Sequence, residues 1–507
     1  MTTPSVARSR VGRTGAQKRV EALHLAPARD QISALHQGTI SSRDLVEQYL
    51  QHIAKANPAL NAVVTIDAEG ARAAADRADR HLAETGKPIG PLHGLPMTLK
   101  DALEVAGVRT TCGSPDLKDH VPDQDADAVA LLRAAGAVIL GKTNVPTMCA
   151  DLQTSNPIFG KTKNPYNASK TAGGSSGGPA VSVASGFSPL EVGSDLAGSL
   201  RLPAAYCGVF ALRTSRGASP IVPTRGHIPR LPGWATSSDM ITLGPIARTA
   251  DDLDLLLDVL AQPAPADRAG WKIDLPAPAK KQISQYRVGI WSDDAYCRVD
   301  ADTRALMDRI AQLVRKTGAR IDDTTRPVDF KASDLLFTQL MYATASATAS
   351  EEAFAADVAA ADKVPADDPS ALYLRSRTMR HHEWLVSDEK RQQYRAAWAA
   401  YFNEHDILIT PATPTAAVDD QTNVPAPQRE IRVDGQPRGY YEQTSWLNLS
   451  SPVGLPSVVL PAGTTESGLP LSVQIIGPHL ADRTVIAAAK HLTQLLGNPA
   501  TPPRFAV

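Results

Sequence analysis

The stretch GGSSGGPAVSVASGFSPLEVGSDLAGSLRLP, residues 173–203, decides how the rest of the chain is interpreted. It holds two glycine-serine clusters separated by an apolar segment, with an acid at Asp195 and a base at Arg201. Glycine at this density is costly in backbone entropy, so it occurs mainly where the chain turns tightly or its backbone approaches a ligand. Two loops around a buried element would explain the pattern equally well, unless residues elsewhere supply chemistry.

The composition is that of an ordinary globular protein. The chain has 507 residues, of which 43% are hydrophobic and 21% charged, and its net charge is −1. It can bury a large core, and no basic field would recruit nucleic acid or an anionic membrane. No apolar run approaches the ~18 residues of a membrane span. The four scattered cysteines form no CxxC pair, which disfavours a disulfide framework and favours a reducing, cytoplasmic location.

The first twenty residues carry five basic side chains and no acid, and they lack the apolar segment of a secretory signal. We predict a flexible basic leader over residues 1–20, with a transit-like tail as the alternative. Residues 21–507 are then expected to hold the folded domain.

Strand and helix patterns alternate along that domain. Ser41 and Asp44 resemble a helix cap, and further elements are predicted at the following places: helices over residues 68–85, 125–135, 301–317 and 482–496, and strands over 92–101, 137–140, 286–291, 406–411, 456–461 and 471–477. The alternation predicts an α/β fold with a central mixed sheet covered by helices. Residues 262–400 are predicted to be a proline-rich connector followed by a helical region that covers the active site.

Several literal motif matches fail on their context. Residues 136–143, GAVILGKT, fit the phosphate-loop expression, but their interior is itself a strand. Ser176 stands in a G-x-S-x-G match that no apolar strand precedes, which makes it a poor nucleophile. Residues 123–134 lack the glycine and the acid of a calcium loop, and the histidines show no HExxH. We therefore predict neither a metal nor a cofactor.

Serine chemistry without histidine remains possible, because a lysine can accept the serine proton if its surroundings destabilise the ammonium. Lys100 ends the apolar run LPMTLK, where a strand would carry it inward. A lysine whose charge reaches solvent at a strand end is the alternative.

Lys100, the cluster GGSSGG at 173–178 and the segment GSDLAGSLRLPAAYCG at 193–208, in that order, resemble the amidase signature family. The likeness extends over most of residues 30–495, through the segments TNVP (143–146), SNPIFGKTKNP (155–165), LGPIARTADDL (243–253), LITPATP (408–414) and GLPSVVLPAG (454–463).

The resemblance implies a Ser-Ser-Lys triad in which Ser199 is the nucleophile, Ser175 the bridging serine and Lys100 the base. It also implies a cis peptide bond between Gly174 and Ser175.

An oxyanion hole formed by the backbone amides of Leu196, Ala197, Gly198 and Ser199 is implied too, and glycine lets such N–H groups converge on one oxygen. We predict that Asp195 and Arg201 pair and brace this turn.

Two departures from the family pattern are evident. Ala197 stands where glycine is usual, which places a Cβ near the oxyanion. The segment LRTSRGA, residues 212–218, replaces a lysine-proline-threonine run, and we expect it to be structural.

The resemblance places the backbone at Cys149 beside the substrate, and Met148, Met341 and Trp446 are apolar candidates for the acyl or aryl pocket, with plain core residues as the alternative. Abundant apolar candidates favour a neutral, hydrophobic small-molecule amide as substrate. The sequence thus predicts an amidase acting on aryl or alkyl amides, with carbamates and esters as further substrates.

Two alternatives stay open: the glutaminase subunit of a tRNA-dependent amidotransferase, and a non-catalytic binding protein on the same fold. The resemblance leaves the oligomeric state open, with a homodimer as one arrangement common in the family.

Overall fold

A computed structural model describes residues 23–217, 219–228, 231–368 and 370–497. The leader predicted over residues 1–20 lies outside these residues. The α-helices are α1 Ala28–His36, α2 Ser42–Leu60, α3 Ala68–Thr85, α4 Asp127–Ala134, α5 Gly177–Ala184, α6 Arg201–Cys207, α7 Ala250–Leu260, α8 Ala301–Lys316, α9 Phe330–Ser346, α10 Glu351–Ala361, α11 Ala371–Arg377, α12 His381–Glu404, α13 Ser445–Asn448 and α14 Asp482–Leu496. The strands are β1 Val63–Ile66, β2 Pro96–Lys100, β3 Val138–Thr143, β4 Ser155–Asn156, β5 Gly160–Lys161, β6 Leu190–Asp195, β7 Phe210–Arg213, β8 Thr242–Ala247, β9 Arg287–Ile290, β10 Arg320–Asp322, β11 Ile407–Pro411, β12 Glu430–Val433, β13 Gln436–Gly439, β14 Ser457–Thr464 and β15 Pro470–Ile476.

The central sheet has eight strands in the order β10-β9-β11-β15-β14-β7-β8-β6. Strand β9 pairs in parallel with β10 and β11, whereas every pair from β11 onward to β6 is antiparallel. A smaller sheet, β1-β3-β2, combines a parallel pair with an antiparallel one. The predicted mixed sheet is confirmed.

Helices cover both sheets, because strands of each sheet are buried along their whole length. Every residue of β2, β3, β6 and β8 is buried. Strands buried on both faces need cover on both sides, and the closing helix α14 packs against β14 and α7. Helix α9 contacts α11, α12 and α13, so the helical region predicted after the connector is present. In the part of the chain that the structure describes, we find no helix with the length and apolarity that crossing a membrane requires.

Local sequence explains most element ends. The Ser41 hydroxyl caps α2 by accepting the Asp44 N–H at 3.0 Å, as predicted. Helix α3 ends at Gly86, whose φ of +66° suits glycine. Helix α4 begins two residues later than predicted, because the Asp125 carboxylate accepts the N–H of Ala106 at 2.8 Å. The interior of the phosphate-loop match is strand β3, which is longer than predicted because it pairs on both sides.

The two sheets meet where β2 lies beside β6. The Thr98 hydroxyl on β2 donates to Glu191 on β6 at 2.6 Å and lies 2.9 Å from the Ser182 hydroxyl on α5. Burial raises the pKa of Glu191 to about 8, against the opposing effect of Thr98. The contact fixes the end of β2, where Lys100 stands, relative to β6.

We expect Gly178→Ala to lower the free energy of unfolding by about 1–3 kcal/mol, the usual cost of overpacking. A Cβ at this position of α5 would lie 2.3 Å from the Asn144 backbone nitrogen, and backbone cannot move aside as a flexible side chain can. Chemical denaturation measures the change. Gly270→Ala is the matched control, since a Cβ there meets nothing within 4 Å. Equal stability of both variants would contradict the predicted close contact.

The Glu191 carboxyl should make stability depend on pH. Between its ordinary pKa of 4.5 and about 8, the folded protein holds a proton that the unfolded chain has lost. The free energy of unfolding therefore falls as the pH rises through this window. Glu191→Gln keeps the side chain neutral, so urea denaturation from pH 5 to 8 should show a smaller decline than in the wild type. Glu351→Gln, at an exposed site, is the control. A Glu191→Gln profile parallel to that of the wild type would refute the assignment.

Candidate active site

Lys100 ends β2 with its side chain fully buried. Its Nζ donates to three hydroxyls: Ser175 Oγ at 2.7 Å, Ser194 Oγ at 2.8 Å and Ser176 Oγ at 2.9 Å. A hydroxyl both donates and accepts, so the same geometry serves an ammonium that donates and a neutral amine that accepts a proton from Ser175. The sequence predicted an inward lysine, and the structure excludes the alternative of a charge reaching solvent.

The two glycine-serine turns lie side by side. The Gly174–Ser175 peptide bond is cis, as the resemblance implied. The Ser176 N–H donates to the Ser199 carbonyl at 3.0 Å and so joins the first turn to the second. Exposure rises from 0% at Lys100 through 1% at Ser175 to 9% at Ser199. The predicted nucleophile is thus the most accessible member of the predicted triad, and the predicted base is the most enclosed.

The four predicted oxyanion donors are not equivalent. The Gly198 N–H already donates to the Asp195 carboxylate at 3.0 Å, so the prediction that it serves the oxyanion is wrong for this arrangement of the turn. Its amide is needed to hold the turn to that acid. The N–H groups of Leu196, Ala197 and Ser199 remain as the candidates.

Alanine at position 197 fits the turn without strain. The left-handed conformation falls on Gly198, with φ of +90°, and Ala197 is not among the residues with positive φ. A Cβ on Gly198 would also lie 2.9 Å from Leu447 Cδ1, an atom at the end of a side chain that can shift, so the left-handed backbone is the main reason for glycine there. The departure from the family pattern therefore occurs at the position that tolerates a side chain.

Asp195 and Arg201 form the predicted brace. The Arg201 guanidinium donates to both carboxylate oxygens of Asp195, at 2.9 and 3.0 Å, and both side chains are fully buried. Burial would raise the pKa of Asp195, but Arg201 and then Arg213 outweigh it and hold that pKa well below its ordinary value. Arg201 also donates to Gln474 Oε1 at 2.6 Å on β15, which anchors the turn to the central sheet.

Arg213 is a residue that the sequence interpretation missed. It lies in the segment 212–218, yet its Nη1 donates to the Asp195 carbonyl at 2.8 Å and its Nη2 to the Met240 carbonyl at 2.9 Å. The segment is structural, as expected, but its structural role is exerted directly on the proposed oxyanion turn. An arginine ending the otherwise apolar strand FALR was the available signal. Ser194, beside Asp195 in the sequence, was missed as a Lys100 partner.

A second buried lysine, Lys142, lies within the segment that matches the phosphate-loop expression, and its contacts are those of a structural residue. Its Nζ lies 3.6 Å from the Asp101 carboxylate, and it donates to Thr110 Oγ1 at 2.9 Å and to the Leu103 carbonyl. Burial lowers the pKa of Lys142 and raises the pKa of Asp101, and each charge opposes the shift of the other. This pair supports the loop that follows Lys100.

The predicted pocket residues fall into three places. Met341 on α9 packs in one apolar cluster with Leu196 and Ala197 of the oxyanion turn. Met148 and Cys149 pack against another cluster, and hydrogen bonding to Cys112 and then to Ser175 lowers the pKa of the Cys149 thiol.

Trp446 is not a pocket residue. Its side chain is 0% exposed, it packs against Trp291 and Phe330, and its indole N–H donates to the Cys297 carbonyl at 3.0 Å. The prediction that it lines the pocket is wrong, because its whole side-chain surface is buried against other residues of the core.

The described residues contain no group of three histidine, cysteine or acidic side chains that could hold a metal ion.

Comparison with known proteins gives one consistent result. The Amidase family model matches residues 44–486. A glutamyl-tRNA(Gln) amidotransferase subunit of Synechococcus sp. (strain CC9902) is 31% identical over 488 residues, which cover 91% of this chain and 94% of that protein. A bacterial aryl acylamidase of the amidase signature enzymes family superposes with a TM-score of 0.78 at 26% identity, over 93% of this chain and 96% of that one.

A solved chain described with the origins of an s-triazine catabolic enzyme gives a TM-score of 0.78 at 27% identity, over 94% of this chain and all of that one. The fold, the match over residues 44–486 and the full-length relatives agree, and the chain belongs to the amidase signature family.

Proposed function

We propose that the protein is an amidase that hydrolyses the C–N bond of neutral, largely apolar carboxylic amides, either aryl or alkyl, with carbamates and esters as further substrates. The observation that carries the proposal is the buried Lys100 amine, held by three neutral hydroxyls and hydrogen-bonded to Ser175 at 2.7 Å. A lysine in such surroundings can exchange protons with serine hydroxyls, which a lysine paired to a carboxylate does poorly.

In the proposed reaction, Ser199 Oγ attacks the amide carbon while its proton passes to Ser175 and the Ser175 proton passes to neutral Lys100. The carbonyl oxygen becomes an oxyanion, which the N–H groups of Leu196, Ala197 and Ser199 stabilise. Collapse breaks the C–N bond, and the relay runs backward to protonate the leaving amine. Water then attacks the acyl-enzyme through the same relay and releases the acid and the free Ser199 hydroxyl.

The surroundings of the turn favour a neutral acyl group. Leu196 and Ala197 pack against the same buried cluster as Met341 of α9 and Trp384 of α12. A cation does stack on Trp384, the Arg391 guanidinium at 5.7 Å, but Asp239 and Asp388 engage it at 2.8 and 2.5 Å. That charge is therefore unavailable to a substrate carboxylate.

The second candidate is the glutaminase subunit of a tRNA-dependent amidotransferase. It is favoured by curated relatives that are named as subunits of glutamyl-tRNA(Gln) amidotransferase and are about 31% identical over nearly the full chain. Such a subunit would act with partner subunits. A panel of anilides, alkyl amides, carbamates, esters and glutamine, ranked by kcat/KM on the purified chain, separates the two. Preference for apolar amides supports the first, and activity on glutamine alone, appearing only with a partner protein, would replace it with the second.

Ser199→Ala should lower kcat by about 10⁴-fold or more and abolish labelling by a fluorophosphonate probe, because the nucleophile is lost. Ser176→Ala is the matched control: its hydroxyl also contacts Lys100, at 2.9 Å, yet the variant should still label. Labelling retained in Ser199→Ala and lost in Ser176→Ala would reverse the assignment. If the wild-type protein is never labelled, the result would favour the remaining alternative, a non-catalytic binding protein on the same fold.

Met341→Ala should raise KM for an anilide by about tenfold, the effect of lost apolar contact in a substrate pocket, with a smaller change for acetamide. The control is Leu335→Ala, on the same helix α9 but 43% exposed to solvent. Steady-state kinetics on both substrates measures the ratio. If both variants behave alike, the cluster around Leu196 and Ala197 does not bind the acyl or aryl group.

A further inference from the structure

Two cysteines stand together beside the proposed catalytic centre. All four cysteines of the chain are free, and the Sγ atoms of Cys112 and Cys149 lie 3.6 Å apart although the residues are 37 positions apart in the sequence. The other two cysteines have different partners: the Cys207 thiol donates to the Ala172 carbonyl, and the Cys297 thiol donates to the Glu442 carbonyl. The proximity is thus specific to one pair.

The backbone holds this pair in place. The Met148 N–H donates to the Cys112 carbonyl at 2.8 Å, and the Cys112 N–H donates to the Asp101 carbonyl at 2.8 Å. Cys112 and Cys149 both adopt left-handed backbone conformations, with φ of +48° and +56°. Non-glycine residues rarely adopt that conformation, so the backbone of both segments is constrained where the two thiols meet.

The two thiols differ in access and in acidity. Cys112 is fully buried, whereas Cys149 is only partly buried. The hydrogen bond from the Cys112 thiol lowers the pKa of Cys149 against the effect of burial, and the Ser175 hydroxyl acts in the same direction. Burial raises the pKa of Cys112. A partly buried, more acidic thiol next to a fully buried one is the arrangement of an attacking and a resolving cysteine.

We infer that Cys112 and Cys149 are a modification site at which hydrogen peroxide forms a reversible disulfide beside Ser175 and Lys100. The Cys149 thiolate attacks the peroxide: an S–O bond forms, the O–O bond breaks, and hydroxide leaves and takes the thiol proton as water. The Cys112 sulfur then attacks the sulfenic sulfur: the S–S bond forms, the S–O bond breaks, and a second water leaves with the Cys112 proton. The peroxide gains two electrons and the two thiols lose them.

The disulfide changes the surroundings of Ser175. A disulfide needs an S–S separation of about 2.05 Å, so the two sulfurs must close most of their present gap. The disulfide also removes the thiol hydrogen of Cys149, the thiol to which the Ser175 hydroxyl is hydrogen-bonded in the reduced protein. A lower rate of acylation at Ser199 follows if the proposed function holds. Formation of the disulfide does not depend on that function.

The test treats the reduced full-length protein with hydrogen peroxide and measures intact mass, peptide linkage and fluorophosphonate labelling. We expect a mass loss of two hydrogen atoms, a linked peptide pair containing Cys112 and Cys149, and labelling several-fold slower, all restored by dithiothreitol. Cys112→Ser should add oxygen and lose no hydrogen, and Cys297→Ser should behave like the wild type. Linkage through Cys207 or Cys297, or oxygen addition alone in the wild type, would overturn the modification site.

The two parts of the inference fail separately. If Cys112→Ser does not fold, the linked peptides of the wild type still decide whether the disulfide forms. A disulfide that forms without slowing the labelling would refute its effect on acylation. A reduced protein that never labels but forms the disulfide would overturn the proposed function and leave the modification site standing.

Discussion

The carboxylate of Asp195, buried between two arginines, is the interaction on which the proposed site depends. It accepts hydrogen bonds from the Gly198 N–H and from Nε and Nη2 of Arg201. It also forms an ion pair with Arg213, and the side chains of Asp195 and of both arginines are fully buried. Removing one partner from such a cluster leaves an unpaired buried charge, which typically costs about 3–5 kcal/mol. The turn that bears Ser199 is therefore held by charge, while the strands that carry it are held by apolar burial.

The two buried lysines show how partners rather than burial determine the role of a side chain. Lys100 and Lys142 are equally inaccessible and stand on neighbouring strands. Lys142 lies 3.6 Å from the Asp101 carboxylate, which favours its ammonium, whereas Lys100 contacts three neutral hydroxyls. The first is suited to hold a loop and the second to exchange protons with serine. Only the partners of the two side chains distinguish them.

The sequence predicted what depends on local pattern and on linear motifs. The strand ending at Lys100, the cap at Ser41, helix α3 and the pairing of Asp195 with Arg201 all follow from residues close in sequence. It failed where a contact joins distant segments. The role of Arg213 depends on β8, which pairs with both β7 and β6 and so brings the end of β7 near Asp195. The burial of Trp446 depends on its packing against Trp291 and Phe330. One local contact escaped it as well: the Gly198 N–H donates to the Asp195 carboxylate three residues earlier, and a glycine pattern does not reveal that hydrogen bond.

The same division explains why the sequence identifies the family but does not identify the substrate. The residues of the proposed triad lie on strands and turns that the full-length relatives cover, so a protein of either proposed function could share them. Discrimination between an apolar amide and glutamine has to come from the side chains around the acyl group, which in the proposed site are those of the apolar cluster beside Leu196 and Ala197. An amino acid side-chain amide brings an ammonium and a carboxylate with it, and burying either without a partner is costly. Arg391, a cation that stacks on Trp384 of this cluster, is already bound by two carboxylates, which favours the neutral substrate.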